Sequence, residues 1–181
     1  IKPVLVMRAG RGGDAASRQT DAIYDAAFRR VGMWRVQSLR ELFWAAETLA
    51  LDLPVTGARL AILGNSRSLG LLAADTLLAE GGRLAQWSPA TRAALAEILP
   101  PGLTPTHPLD LGMDAGPARF AAALAILLRE PDLDSLLILH APSALHSASD
   151  AAAAVIETIS RCRAGARPAV LVCWLGADSA S

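Results

Sequence analysis

Four consecutive residues, Asn65-Ser66-Arg67-Ser68, lie between an apolar run, Leu60-Ala61-Ile62-Leu63, and an amphipathic run that starts at Leu69. A strand that feeds straight into a helix aims unpaired backbone N–H groups and the positive end of the helix dipole at one point. Such a point suits phosphate or another anion. Arg67 either adds a charge-assisted contact there or fills the space itself. Asn65, Ser66, Arg67 and Ser68 are therefore the candidate anion-binding residues, with a plain capped turn as the alternative. Asp110, His140 and Ser143 each follow another apolar run and are candidates for the same crevice. Asp110 also reads as a cap, and His140 as a neutral histidine satisfied by backbone.

The other residues able to do chemistry read as structural. His107 fixes a turn and His146 lies in a loop; the three histidines form no catalytic set by spacing. No His/Cys/Asp cluster has the spacing of a zinc site. Asp21 and Asp25 share one helical face beside Tyr24, and carboxylates in a first turn favour the helix dipole. Arg29-Arg30 is a solvated face or an interdomain contact. Trp34, Trp44, Trp87 and Trp174 follow no stacking-platform pattern and fill core or subunit contacts. Cys162 and Cys173 read as reduced thiols on a helix and a strand of a cytoplasmic protein.

Composition bounds the classes of function. The chain has 181 residues, 52% of them hydrophobic, enough for one large or two small domains with a sizeable core. No apolar stretch approaches the ~20 residues of a membrane span. Basic and acidic residues balance at 17 each, and without a basic stripe nucleic acid is not the main partner. The chain starts at Ile1 in what reads as a strand and stops directly after another, so it reads as a piece of a longer polypeptide.

Strand and helix patterns must alternate to position these residues. Pro3–Ala9 reads as a buried strand, Gly10–Gln19 as a loop and 21–31 as a helix. Val36 sits on a short strand, and Ser38-Leu39-Arg40-Glu41 is a capping box opening a helix to Leu51. Asp52–Ala58, with Pro54 and Gly57, is the boundary. Beyond it come strand 59–64, helix 68–80, strand Leu84–Trp87 and a helix from Ser88-Pro89 to Leu99. Leu109–Leu111, a helix from Pro117, strand Ser135–His140, helix 148–164 and strand Ala169–Leu175 complete the series. Strands separated by such helices pair in parallel through right-handed crossovers, giving an α/β, flavodoxin-like three-layer sandwich. Ligands then bind beyond the carboxyl ends of the strands. Here those ends are Asn65–Ser68, Trp87-Ser88, Asp110–Met113, His140–Ser143 and Gly176–Asp178.

The order of several short stretches resembles the NDP-forming acyl-CoA synthetases, the superfamily that includes succinyl-CoA synthetase. They are Lys2–Val6 closing on Ala9-Gly10-Arg11, Asp21–Phe28, Gly32–Val36, Glu41-Leu42-Phe43, Arg59–Leu63 with Asn65, and His107-Pro108-Leu109-Asp110. By this resemblance residues 1–51 are the C-terminal part of one flavodoxin-like domain, 52–58 a linker, and 59–181 the ligase-CoA domain. A CoA-binding Rossmann domain and an ATP-grasp module would lie elsewhere in the parent, along with CoA, NDP/NTP and Mg. His140-Ala141-Pro142-Ser143 and the Ser66–Ala73 stretch also resemble protein lysine acetyltransferases in which such a region is fused to a GNAT domain. There the region serves as a regulatory, acyl-CoA-sensing body. A homo-oligomer is implied, and an oligomerisation scaffold without catalysis is a third reading.

The family's reaction, as the resemblance implies it, converts acyl-CoA, NDP and phosphate into acid, CoA and NTP through a phosphohistidine. That histidine belongs to a motif like Ala-Ser-His-Thr-Gly-Ala. Here the corresponding stretch is Ala15-Ala16-Ser17-Arg18-Gln19-Thr20-Asp21, without a histidine and several residues shorter. Either this branch has lost the nucleophile or a loop is absent from the sequence as written. Arginine cannot take its place, because its guanidinium stays protonated. Two helix N-termini clasp the phosphohistidine in the family, and Asn65–Gly70 resembles one of them, with Ser66, Arg67 and Ser68 in place of glycines.

Overall fold

The structure, a computed structural model, describes residues 3–9, 13–51, 57–162 and 168–175. The expected boundary between 52 and 56, the helix end at 163–164 and the loop Gly176–Asp178 lie outside the described residues. The chain divides into two compact units, Ile1–Leu53 and Pro54–Ser181.

The first unit runs β1 (Leu5–Val6), α1 (Ala15–Arg30), β2 (Trp34–Arg35) and α2 (Leu39–Ala50). The two strands pair in parallel, Leu5 with Trp34 and Val6 with Arg35. β1 is shorter than the expected Pro3–Ala9, and β2 ends before Val36, where a strand was expected, although the Val36 N–H still donates to the Val6 carbonyl at 2.9 Å. The helix α1 corrects the sequence reading at its start, because residues 15–19 are helical and no loop precedes Asp21 there. Asp14 is the reason: in extended conformation it accepts the Ser17 N–H at 2.9 Å and caps the helix. Asp21 and Asp25 therefore lie in mid-helix, beyond the first turn, and bind cations in place of the dipole. Asp21 pairs with Arg8 (2.8 Å) and Arg35, and Asp25 with Arg29 (3.0 Å) and Arg35 (3.2 Å). At α2, Ser38 accepts the Glu41 N–H as the capping box requires, while the Glu41 carboxylate reaches back to Gln37 N–H. Trp34 and Trp44 are 57% and 59% exposed, so neither fills a core in this unit.

The second unit runs β3 (Arg59–Gly64), α3 (Arg67–Ala79), β4 (Arg83–Leu84), α4 (Pro89–Ile98), β5 (Leu109–Asp110), α5 (Pro117–Leu127), β6 (Ser135–His140), α6 (Ala148–Arg161) and β7 (Ala169–Trp174). All strand pairs are parallel. β3 is central: β6 lies along one edge from Leu60 to Gly64 and β7 lies outside β6. β4 takes the start of the other edge of β3, and β5 its end, at Leu63 and Gly64. The chain thus winds outward in two directions from β3 and β6.

Helices cover both sheet faces, as a doubly wound sheet with right-handed crossovers demands. α4, α5 and α6 pack on one face through Leu95, Phe120, Leu124, Ala151 and Val155 against Leu136 and Ile138. α3 packs on the other through Ala74 against Ile62 and Leu139. Each fully buried leucine or phenylalanine contributes roughly 1.5–3 kcal/mol through its removal from water. Gly64 permits the close pairing of β3 and β6, since a Cβ there would sit 2.6 Å from the Leu139 carbonyl oxygen.

Candidate functional site

Direct pairing of β3 and β6 places the reversal of strand order between them, the point where doubly wound sheets open a crevice for ligands. Here that point is stitched shut. Asn65, fully buried, donates from Nδ2 to the Ala141 carbonyl (2.9 Å) and accepts the Ala141 N–H at Oδ1 (2.7 Å). Its amide spends its main valences on backbone. Among the predicted anion-binding residues it is therefore the one that supports the turn from behind.

The opening lies beside it, at the start of α3. A cleft is lined by Ser66, Arg67, Gly70, Leu71, Thr106, His107, Pro108, Leu109 and Asp110. Its cavity volume of about 40 Å³ exceeds the ~10–15 Å³ needed to admit a water, so the cleft is open to small polar species. Gly70 shapes it, because a Cβ there would lie 2.9 Å from Pro108 Cβ. Of the predicted residues the cleft brings together Ser66, Arg67 and Asp110. Ser68 is exposed on the first turn of α3, while His140 and Ser143 stand outside the cleft lining.

The start of α3 is electrostatically unspent. Four of the six described helices carry a side-chain cap, at Asp14, Ser38, Ser88 and Ser147. α3 and α5 do not. Beside Gly116, the N-cap of α5, sits the His146 ring, within 3.0 Å of where a Cβ would be. At α3, Ser66 is extended and its hydroxyl caps nothing, so the first-turn N–H groups keep their donors. Arg67 is exposed and, among the described residues, forms no ion pair. Asp110 Oδ1 accepts the Gly112 N–H at 2.9 Å, and Gly112 takes a positive φ of 85°. Among the described residues no partner holds the second Asp110 oxygen.

His107 is the residue of this site that sequence reading assigned only to a turn. Its ring stacks on Trp87 at 3.6 Å with a 25° tilt, and both ring nitrogens are buried without a hydrogen-bond partner. Burial, with the Arg92 charge behind it, pushes its pKa down to about 4, so it is neutral near pH 7. The signal that could have found it is the His-Pro pair directly before a strand whose end faces the crevice.

His140 corrects an expectation. It is 2% exposed at the end of β6, but its Nδ1 finds no partner, backbone or other, among the described residues. It stands in an aromatic box, face to face with Trp174 at 4.4 Å and 6°, with Phe120 at 5.9 Å. Burial lowers its pKa and keeps it neutral. Trp174 Nε1 donates to the Ala148 carbonyl at 3.2 Å and so ties β7 to the start of α6. Trp87 and Trp174 thus serve as stacking surfaces for histidines, a role their spacing did not reveal. Ser143 accepts the Leu145 N–H at 3.2 Å and shapes its own loop.

Away from the cleft, the residues that could carry other chemistry are otherwise employed. Where the phosphohistidine motif would stand, Ser17–Asp21 form continuous helix within α1, with Thr20 Oγ1 donating to the Ala16 carbonyl at 2.9 Å. Among the described residues no group of three His, Cys, Asp or Glu is placed to hold a metal ion, and no helix is long and apolar enough to cross a membrane. Cys162 and Cys173 are free thiols.

Comparison with known proteins gives this geometry a context. Residues 1–49 match the family described as succinyl-CoA ligase like flavodoxin domain. The chain is 34% identical over 187 residues to acetate–CoA ligase [ADP-forming] I of Archaeoglobus fulgidus, covering 98% of this chain and 26% of that protein. It is 28% identical over 165 residues to 4-hydroxybutyrate–CoA ligase [ADP-forming] of Nitrosopumilus maritimus, covering 86% of this chain and 24% of that protein. The dinucleotide forming acetyl-coenzyme A synthetase 1 of Ca. Korarchaeum cryptofilum, solved in complex with phosphate and ADP, shares the fold. The match has a TM-score of 0.82 at 24% identity, over 98% of this chain and 40% of that one. The chain thus spans about a quarter of the length of the two ligases. The likeness to the succinyl-CoA ligase like flavodoxin domain is thus carried by residues 1–49, and nearly the whole chain is similar to about a quarter of the Archaeoglobus fulgidus ADP-forming ligase.

Proposed function

We propose that this segment supplies a phosphate-binding cleft to an acyl-CoA-synthetase-like protein and does not itself carry the phosphoryl group. In the superfamily's reaction acyl-CoA, NDP and phosphate give acid, CoA and NTP. The observation that carries the reading is the uncapped start of α3, where Ser66, Arg67 and unspent backbone N–H groups line one cleft. The continuous helix through Ser17–Asp21 supports the second half of it, because no nucleophilic histidine stands on that segment. CoA and the nucleotide are assigned to other modules of the parent, a CoA-binding Rossmann domain and an ATP-grasp module, as the resemblance implies. Any magnesium ion would come with the nucleotide, as the resemblance implies.

The test is to incubate the full-length parent with γ-phosphate-labelled ATP and to measure phosphate binding to this chain by calorimetry. The expected result is phosphate binding by this chain without an acid-labile phosphohistidine on it. A labelled histidine within these residues overturns the non-catalytic part, and absence of phosphate binding overturns the rest.

The unbroken α1 also favours a second reading, in which the segment is the regulatory, acyl-CoA-sensing region of a GNAT-type protein lysine acetyltransferase. Transfer of a labelled acetyl group from acetyl-CoA to a lysine-bearing protein by the full-length parent would support it. Net formation of ATP from acetyl-CoA, ADP and phosphate would exclude it in favour of the ligase.

A further inference from the structure

We propose that Thr104–His107 is a strap which the His107 ring latches onto Trp87, and that a proton on that ring releases the strap while the sheet stays folded. The latch governs how the cleft beside α3 opens, whatever the cleft binds.

Little else holds the strap. It runs between two anchors, Leu103, which packs against the core of the second unit, and Leu109, which is buried in β5. Among the described residues the segment between them makes one backbone hydrogen bond, and that bond is internal, from the Thr106 N–H to the Thr104 carbonyl at 2.8 Å. Thr104 and Thr106 are exposed. What fixes the segment is the His107 ring, stacked at 3.6 Å on Trp87, which is itself 5% exposed within the core. Thr106 and His107 line the cleft together with Ser66, Arg67 and Leu71, so a strap that leaves its place widens the cleft.

A stack of this kind responds to charge. Both His107 nitrogens are buried without a partner. A neutral imidazole tolerates that far better than an imidazolium, which would carry a charge and two unbonded N–H groups. The surroundings give the cation no relief. Arg92 of α4 repels it, and Arg67 of α3 lies along the same cleft. Of the carboxylates, Asp110 of β5 engages the Gly112 N–H through Oδ1, and Glu130, beyond α5, engages Ser88 through Oε2. Burial and Arg92 together hold the latched ring at a pKa of about 4, so the released ring, in water, binds the proton more tightly. Releasing the strap breaks no hydrogen bond to another element, whereas β3 and β6 are paired from Leu60 to Gly64. The strap is therefore the part of the fold that yields first.

Nuclear magnetic resonance of the full-length parent tests this, with ¹³C at histidine Cε1 and isoleucine δ1 methyl groups and ¹⁵N at tryptophan Nε1. While stacked, the His107 Cε1–H resonates upfield under the indole ring current, and its peak is the one absent from His107→Phe. As the pH falls, that displacement should vanish together with protonation, at a midpoint between about 4 and about 6.5. The methyls of Ile62 and Ile138, fully buried in β3 and β6, should keep their native positions through the same range. A His107 that protonates while still displaced upfield overturns the release. Isoleucine methyls that move together with His107 overturn its local character. Phenylalanine stacks but takes no proton, so the buried Trp87 Nε1–H should move with pH in the native chain and hold its position in His107→Phe. Equal movement in both overturns His107 as the trigger, and if the variant fails to fold the native titration decides the rest alone.

Discussion

The two ends of the five-stranded sheet are built from the same strands, β3 and β6, yet they treat polar groups in opposite ways. At the amino end, Asp134 is buried and fully engaged. It accepts the Arg59 backbone N–H (2.9 Å), Arg59 Nε (2.9 Å) and Arg59 Nη2 (3.0 Å), while Asp132 takes Arg59 Nη1 (2.7 Å). These bonds hold the Asp134 carboxyl below its usual pKa. At the carboxyl end, both nitrogens of His107 and Nδ1 of His140 are buried without a partner, while exposed Arg67 and one oxygen of Asp110 have none among the described residues. A folded chain seldom leaves buried polar atoms unpaired without a reason. The Arg59–Asp134 cluster is spent as structure, although Oε1 of Glu130 in the same connection is unpaired, and the carboxyl end holds more of its donors and acceptors in reserve. Asn65 is the exception that makes the second arrangement possible, since it closes the gap between β3 and β6 directly behind the cleft.

Breaking that exception has the largest expected effect. Asn65→Ala removes both partners of Ala141 at a fully buried position, leaving an N–H and a C=O unsatisfied. The expected cost is about 3 kcal/mol, read as a lower urea midpoint with an unchanged slope. An acid titration of stability comes next. His107 has a folded pKa of about 4 against an ordinary value of 6.5, so below pH 6.5 the unfolded chain binds a proton that the folded chain refuses. Stability is complete above that value and falls as the pH drops toward about 4. The partial exposure of the ring discounts the effect to about 2 kcal/mol. His107→Asn should flatten the slope in this window, leaving the smaller part due to His140, whose pKa is lowered in the same direction. A slope unchanged by His107→Asn would assign the acid sensitivity elsewhere. At the other end, Asp134→Asn keeps the shape but weakens the hold on Arg59. A drop of roughly 5 °C in melting temperature is expected, with phosphate affinity unchanged.

How much of this was legible in the sequence follows from what each level of structure depends on. The alternation of apolar runs with capped helices located β3, β6, β7 and the helices between them nearly to the residue, because Ser88-Pro89, Pro117 and Ser147 punctuate locally. The start of α1 escaped because Asp14 follows a glycine-rich stretch that reads as loop, and one carboxylate cap outweighs that composition. The pairing order also escaped: which strand lies beside β3 is decided by Gly64 against Leu139, a contact between residues far apart in the chain. For the site, the helix start at Ser66-Arg67 was legible from the strand–helix junction alone. Asp110 was legible as the end of another strand, whereas His107 reaches the cleft through the close approach of Pro108 to Gly70, which no local pattern encodes. The same holds for Asn65, whose role is set by Ala141, a residue on the neighbouring strand's exit loop.

The smallest expected effect on stability belongs to Arg67, and it separates the two ends most sharply. The side chain is exposed and, among the described residues, without an ion pair, so Arg67→Ala should change folding free energy by no more than about 0.5 kcal/mol. Removing the local positive charge should nevertheless weaken phosphate binding by about tenfold and flatten its dependence on ionic strength, because the lost term is Coulombic and screened by salt. Arg67→Lys should restore part of the affinity, since the charge returns without the planar fork. A variant that loses stability but keeps phosphate affinity would mean that Arg67 acts through the packing of its aliphatic stem and that its charge serves no anion.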